Sequence, residues 1–461
     1  MKRHKNKSVL VLGLGETGLS MVRWLSAQGA RLRVADSRSV PPGLAEVRRH
    51  VADEQIFCGE FNDALFDGIE LIATSPGVPL RDPAIARAVA RGIEMAGDIE
   101  LFAQSLPDHD RPRILAITGS NGKTTVTSMV EHLCKAAGRD ALAAGNISPA
   151  VLDVAMERGV NQPEIWVLEL SSFQLETAAH LHADAATVLN ISEDHLDRYA
   201  GMAEYSAAKA RIFTGCNVQV LNRDDARCMS MARAECQTVT FGLDEPGSER
   251  DFGIVRDEGE VWLVQGKQRL LKAGELRVAG LHNAANALAA LALCRAIDLP
   301  MPVLLDALCS FKGLPHRVER VKEIGGVVYY DDSKGTNVGA TIAALQGLGR
   351  KAVLIAGGEG KGQDFAPLNP VVAEHARAVV LIGRDAPLIA DALNGSGVKV
   401  ALAGDMSDAV QQASRLAHDG DAVLLSPACA SFDMFRNYAH RAEVFVAAVN
   451  ELKLEGAWHH L

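Results

Sequence analysis

The chain has 461 residues, room for about three domains at roughly 150 residues each. Its 48% hydrophobic and 23% charged residues exclude a fibrous, collagen-like or wholly disordered protein. A net charge of −10 argues against a broad nucleic-acid-binding face, which needs a basic surface. It leaves open an anionic small molecule held by helix ends and a few lysines.

Ser8-Val-Leu-Val-Leu12 reads as a strand. It runs into Gly13-Leu-Gly15-Glu16-Thr17-Gly18, then a helical pattern to Gln28, then a strand Leu32–Ala35 ending at Asp36. This is a βαβ start. A further apolar strand, Ile69 to Ala73, meets Thr74-Ser75-Pro76-Gly77-Val78-Pro79, a turn where open α/β sheets place ligands. Pro107 to Pro112 reads as a linker.

Ile114–Ile117 predicts the next strand, and Thr118-Gly119-Ser120-Asn121-Gly122-Lys123-Thr124-Thr125 leads into a helix through Ala137. Strand Ile165–Leu168 precedes Glu169, and strand Ala185–Leu189 precedes Asn190-Ile-Ser-Glu-Asp194-His195. Residues 216–280 look β-richer, and Ala284–Ala296 is an alanine-rich helix. After Pro315-His316-Arg317, strands at Val327–Tyr330, Ala352–Ala356, Ala378–Ile382 and Ala422–Leu425 alternate with helices, a third α/β unit. The expected fold class is α/β in three domains, about 1–108, 109–312 and 313–461.

Aromatic residues are only 5% and glycines number 41, which favours α/β layers over an aromatic-rich β-sandwich. The eight cysteines include no CxxC pair, so a zinc ribbon or thioredoxin motif is not expected and reduced thiols are. The apolar run after the basic start is too short for a signal peptide, and no stretch reaches membrane-span length. A soluble cytoplasmic protein is expected.

Gly119-x-x-Gly122-Lys123-Thr124 lies between a strand and a helix, the context a phosphate loop requires. Glycines let backbone N–H groups approach phosphate oxygens, and the helix N-terminus adds positive potential. Lys123 is placed for the terminal phosphates and the Thr124 hydroxyl for Mg²⁺. The spacing departs from the full GxxxxGK[ST] pattern. Glu169 has the strand-end position of a metal-binding carboxylate. His195 reads either as a structural residue or a ligand, and imidazole is an unusual partner for Mg²⁺. Lys209, in Ala207-Ala208-Lys209, is by default an exposed helical lysine. Gly13-x-Gly15-x-x-Gly18 with Asp36, read alone, is a dinucleotide fingerprint.

Together these motifs resemble the Mur ligase family, ATP-dependent amide-bond-forming enzymes of peptidoglycan precursor synthesis. The resemblance rests on Thr118–Thr125, Glu169–Glu176, Asn190–Asp197, Gly280-Leu-His-Asn283 with Asn286, Pro315–Arg317, Asp332-Ser-Lys334-Gly-Thr336-Asn337 and Ser426–Asp433. It implies a Rossmann-like N-terminal domain, a P-loop ATPase domain and a Rossmann-like C-terminal domain. The substrates implied are UDP-N-acetylmuramoyl-L-alanine and D-glutamate. The Gly13–Gly18 loop would then hold UDP rather than NAD, with Gly15, Glu16, Thr17, Asp36, Ser37, Arg38, Ser75, Pro76, Gly77 and Asn146 around the UDP-linked substrate. Gly119 to Thr125, Asn283, Asn286, Arg317, Asp332 and Lys334 would contact ATP. Thr124, Glu169, His195 and Lys209 would hold two Mg²⁺ ions, Lys209 as a carbamate made from CO₂. Lys123, His195 and Lys209 would be the catalytic set. Thr336, Lys361, Ser431, Phe432 and Tyr438 would line the D-glutamate site. Family members often carry Leu and Phe where Phe432 and Tyr438 stand, a departure that bears on that pocket's polarity.

The implied chemistry is acyl phosphate formation followed by amine attack, with no protein nucleophile. A sibling ligase adding another amino acid is the nearest rival; the Asp-Asn-Pro-Arg motif usual in the meso-diaminopimelate ligases does not occur. A nucleotide-binding protein without catalysis is the rival of a different class. No nucleic acid or membrane partner is expected, and a monomer is.

Overall fold

The strand Ser8–Leu12 is apolar without a break from Val9 onward because both its faces are covered there, as in any central parallel strand. In the computed structural model, which describes residues 3–107, 109–278 and 280–452, it is the middle strand of a five-stranded parallel sheet. The order across that sheet is Ile56–Cys58, Arg31–Asp36, Ser8–Leu12, Leu71–Thr74, Glu94–Ala96. The chain order reverses beside Ser8–Leu12. The loops after it and after Leu71–Thr74 therefore open a crevice at the carboxyl ends of the strands. Helix Glu16–Gln28 buries Met21, Val22 and Leu25 against this sheet and ends at Gly29, whose φ of 82° lets its N–H close the last turn on Leu25 and Ser26 carbonyls.

The second sheet has nine strands. Ala141–Gly145, Ile165–Glu169, Arg113–Thr118, Ala185–Val188, Val218–Asn222 and Gln237–Phe241 run parallel in that order. The strand Phe252–Asp257 then turns the edge antiparallel through Glu260–Gln265 and Gln268–Lys272. The β-richer reading of residues 216–280 is this edge. The phosphate loop, Glu169 and the Asn190–His195 segment leave three adjacent strands at the same end.

The third sheet runs Glu319–Ile324, Val327–Asp331, Ala422–Leu425, Ala352–Gly357, Ala376–Ile382, Lys399–Leu402, with only its first strand antiparallel.

The first two units share a core. Helix Asp98–Ser105 carries Phe102 onto Trp166 of the second sheet, ring centroids 4.9 Å apart and nearly edge-on. Below it, the Asp98 carboxylate accepts the Gln174 amide at 2.9 Å, and Glu100 accepts the Ala179 and His180 N–H groups. The third unit has separate cores on the two faces of its sheet. Polar contacts join it to the second, Asn337 to Asn121 and Lys334 to Thr124 among them. No helix among the described residues is long and apolar enough to cross a membrane.

Candidate active site

The crevice of the first sheet is a cavity of about 630 Å³. Gly15, Glu16, Thr17, Asp36, Ser37, Arg38, Ser75, Pro76, Gly77 and Asn146, the set expected around a UDP-linked substrate, all line it. Its shape depends on close backbone approach: a Cβ on Gly18 would sit 1.8 Å from the Gly13 carbonyl oxygen. Helix Glu16–Gln28 begins at Gly15 with no side-chain cap, so its first N–H groups keep their capacity for an anion. Asp36 is already engaged. Its carboxylate accepts the Leu14 N–H at 2.7 Å and the Arg38 guanidinium at 2.6 and 2.8 Å. Despite desolvation, these bonds hold the carboxyl below its usual range.

A second cavity, of about 290 Å³, lies beside the phosphate loop. Asn121, Gly122, Thr125, Asn283, Asn286, Arg317 and Asp332 line it together. Gly122 has φ 82° and starts helix Lys123–Ala136; a Cβ there would press on Asn286 Oδ1 at 2.7 Å. The loop is braced by Asn190, whose side chain accepts the Asn121 N–H at 2.8 Å and donates to the Asn121 carbonyl at 3.1 Å. Ser120 is buried and bonds the Ser192 carbonyl. The Thr124 hydroxyl lies in the helix's first turn and receives Lys334 Nζ at 3.2 Å.

Between the two cavities lies the charged centre. Glu169 is buried at the end of its strand. Its Oε1 accepts the Asn146 amide at 2.8 Å, while Oε2 has no protein partner. Lys123 and Lys209 each donate to the same Gly119 carbonyl, both at 2.9 Å. Lys209 is therefore not an exposed helical lysine; it is 2% exposed and sits over the Tyr205 ring. Burial first, then the Lys123 charge, pushes its amine well below the ordinary lysine value. Burial also lowers Lys123, against the pull of Glu169 and Asp194. His195 has φ 56° and packs edge-on to Phe173 with centroids 4.8 Å apart. Its Nε2 is 3.6 Å from Asp194 Oδ2. Desolvation lowers its pKa, with Asp194 opposing.

The third unit brings its loops to this centre. Asn337 donates to Asn121 Oδ1 at 3.0 Å across the junction. Asp332 is buried beside Ser426, which donates to it at 2.7 Å, and burial raises its carboxyl to about 7. Arg317 is held below its ordinary value by burial, partly offset by Asp332 and Glu169, and its Nε has no protein partner. Lys334 is lowered to about 8, chiefly by burial, and stacks over Tyr438. Lys361, at φ 53°, is close enough for its charge to act on both Lys123 and His195. Ser431 is buried and Thr336 half-buried in the adjoining loops. Phe432, in the same stretch as Ser431, is 68% exposed.

Three family models match in chain order: the Mur ligase MurD-like N-terminal domain over residues 7–97, the Mur ligase middle domain over 117–294, and the Mur ligase glutamate ligase domain over 316–429. The chain belongs to the Mur ligase family. A UDP-N-acetylmuramoylalanine--D-glutamate ligase of Methylobacillus flagellatus is 59% identical over 453 residues, 98% of this chain and 99% of that relative. One of Nitrosomonas europaea is 57% identical over 97% of this chain and 96% of its own. Among solved structures, MurF from Acinetobacter baumannii superposes with TM-score 0.62 at 16% identity, covering 97% of this chain and 92% of its own. UDP-N-acetylmuramate-alanine ligase MurC from Thermotoga maritima gives 0.60 at 20% identity, covering 97% and 100%. These two show the shared Mur ligase fold.

Residues that sequence reading did not single out complete the Mur ligase cavities. Phe61, Ser148 and Gln174 join the first, and Asn222, Phe241, Val278, His282 and Leu314 the second. His282 is wedged between Gly280 and Gly347, with burial lowering its pKa to about 4. Gly280-Leu-His-Asn283 carried a signal for it. The apolar residues carried none, since they come from separate strands and loops.

Proposed function

We propose that this Mur ligase joins D-glutamate to UDP-N-acetylmuramoyl-L-alanine at the expense of ATP. The observation that carries the reading is the position of Glu169 between the cavities. Asn146 lines the first cavity and bonds Glu169, while Asn121, Gly122 and Thr125 line the second beside Lys123. This arrangement lets a carboxylate from one side and a terminal phosphate from the other meet beside Glu169. The names of relatives at 55–59% identity supply the substrates.

We assign residues 1–108 to the UDP-linked substrate, 109–312 to ATP and metal, and 313–461 to the amino acid and to closing the site. The site residues keep the roles that the resemblance implies. The terminal alanine carboxylate attacks the γ-phosphorus of ATP, the bond to ADP breaks, and an acyl phosphate forms. The D-glutamate amine attacks the acyl carbon, phosphate leaves, and the nitrogen loses a proton. Lys123, Arg317 and Lys334 bind anionic phosphate oxygens in a desolvated setting, where such contacts are strongest.

Mg²⁺ fits the centre, because Glu169 Oε2 is a buried carboxylate oxygen without a partner and the Thr124 hydroxyl stands in the first turn of the helix that follows the phosphate loop. Two ions held by Thr124, Glu169, His195 and a Lys209 carbamate would neutralise the two anions that must approach. Lys209 supports a carbamate, since a buried amine beside Lys123 is favoured neutral, the form that adds CO₂ and releases a proton. The reading places a monomeric enzyme in the cytoplasm, where ATP is available.

Phosphate release measured with ATP, UDP-N-acetylmuramoyl-L-alanine and a panel of amino acids tests this. Release with D-glutamate is expected. Release only with another amino acid would make it a sibling ligase, and none with any would favour a binding protein.

A further inference from the structure

Arg441 lies outside every role assigned above, yet it is among the largest fully buried side chains of the protein at 0% exposure. It stands in the first turn of helix Tyr438–Glu451. No carboxylate lies within ion-pair distance of it among the described residues. Its donors all go to neutral oxygens of two loops. Nε donates to Ser333 Oγ at 3.0 Å and Nη2 to the Ser333 carbonyl at 2.7 Å. Nη1 donates to the Cys429 carbonyl at 3.1 Å. Ser333 Oγ passes its own hydrogen to the Tyr438 carbonyl at 2.7 Å.

A buried guanidinium with no carboxylate in contact, only the more distant charges of Asp433, Asp331 and Asp332, is expensive, and an apolar side chain of similar volume would fill the same space at lower cost. Burial depresses its pKa to about 10, which still leaves it charged at neutral pH. What the guanidinium adds is geometry: a rigid fork donating in several fixed directions at once, which a lysine ammonium on a flexible stem does not reproduce. The loops it joins are those of two different ligands. Ser333 sits between Asp332 and Lys334 on the nucleotide side, and the 429–438 loop carries Ser431, Phe432 and Tyr438 on the amino-acid side.

We propose that Arg441 is a positioning residue that locks the nucleotide loop 332–334 to the amino-acid loop 429–438, so that the two subsites are formed and lost together. This rests on the proposed function, which assigns those loops their ligands. Tyr438 is the physical link, since its carbonyl takes the Ser333 hydroxyl and its ring lies under the Lys334 ammonium at 5.3 Å.

Steady-state kinetics of Arg441→Lys and Ser333→Ala test the coupling, with calorimetry of UDP-N-acetylmuramoyl-L-alanine binding as the readout of an untouched site. Arg441→Lys is expected to raise KM for ATP and for D-glutamate together, each about tenfold or more, and to lower kcat. UDP-substrate affinity should stay within about twofold. Ser333→Ala should move both Michaelis constants the same way by less. Arg441→Ala should regain part of its activity with millimolar guanidinium. Both constants unmoved, or only one moved, in Arg441→Lys would overturn the coupling. If the Arg441 variants do not fold, Ser333→Ala decides by the same criterion. The wild-type chain separates the two ideas: no ligation by it sinks the proposed function, whereas wild-type ligation with unmoved constants in the variants sinks only the coupling.

Discussion

Replacing Glu169 by Gln alters one atom and one charge at the centre of the site. The carboxylate is 1% exposed; Oε1 accepts the Asn146 amide at 2.8 Å and Oε2 is orphaned. Gln keeps the Asn146 bond through its own Oε1 and exchanges an orphan acceptor for an orphan donor. Each orphan costs about 1–3 kcal/mol, so that contribution nearly cancels between the two proteins. The lost charge also withdraws support from Lys123, Lys209, Arg317 and Lys334, each of which Glu169 favours in the charged form. A loss of about 1–2 kcal/mol in the ligand-free protein is expected, a fall of a few degrees in Tm. The effect on turnover should be larger. In its proposed role as a metal ligand the carboxylate would stabilise developing charge by about 3–4 kcal/mol, equivalent to roughly 10²–10³-fold in rate. Thermal melting and coupled ADP release, measured on one preparation, separate the two magnitudes. A folded variant turning over within about threefold of wild type at saturating Mg²⁺ would refute the reasoning.

The other predictions concern neighbouring parts of the same machinery. Lys209→Ala should lose most activity and recover part of it with acetate, a small carboxylate supplied in place of the carbamate; unchanged turnover would remove the carbamate from the account. Gly18→Ala should abolish binding of UDP-N-acetylmuramoyl-L-alanine in calorimetry, because the new Cβ would meet the Gly13 carbonyl at 1.8 Å and reshape the loop; affinity equal to wild type would contradict this. Asp98 is raised from the ordinary 3.8 to about 6, mainly by burial, with the Gln174 bond opposing. Its raised folded-state pKa means that its contribution is full below about 3.8 and is lost as pH rises through about 6. Asp98→Asn removes that loss, so the Tm of the variant relative to wild type should climb between pH 4 and 6 and then level. A constant offset across that range would show that Asp98 does not titrate there.

What could be read from the sequence was local. The phosphate loop, Glu169 and His195 each follow an apolar strand within a few residues, so the chain itself announces their placement at one end of a parallel sheet. The Gly13–Gly18 loop is equally local, but its ligand is not. The same helix start and glycine spacing suit any pyrophosphate, and Asp36 spends its carboxylate on Leu14 and Arg38. Lys209 was hidden because nothing in Ala207-Ala208-Lys209 distinguishes a buried amine from a solvated one. Its burial follows from packing across to Gly119, 90 positions away. The wall of the second cavity was hidden for the same reason, with Asn222, Phe241 and Leu314 arriving on separate elements. Arg441 carries no motif, and only the fold shows that its donors span two loops.

The most direct test of the account follows the oxygen atoms of the substrate. UDP-N-acetylmuramoyl-L-alanine labelled with ¹⁸O in its terminal carboxylate, incubated with ATP, Mg²⁺ and D-glutamate, should give a D-glutamyl product and inorganic phosphate bearing one of those labelled oxygens. Phosphate free of label, or no product from D-glutamate, would contradict the central claim that this Mur ligase activates the alanine carboxylate as an acyl phosphate for D-glutamate to attack.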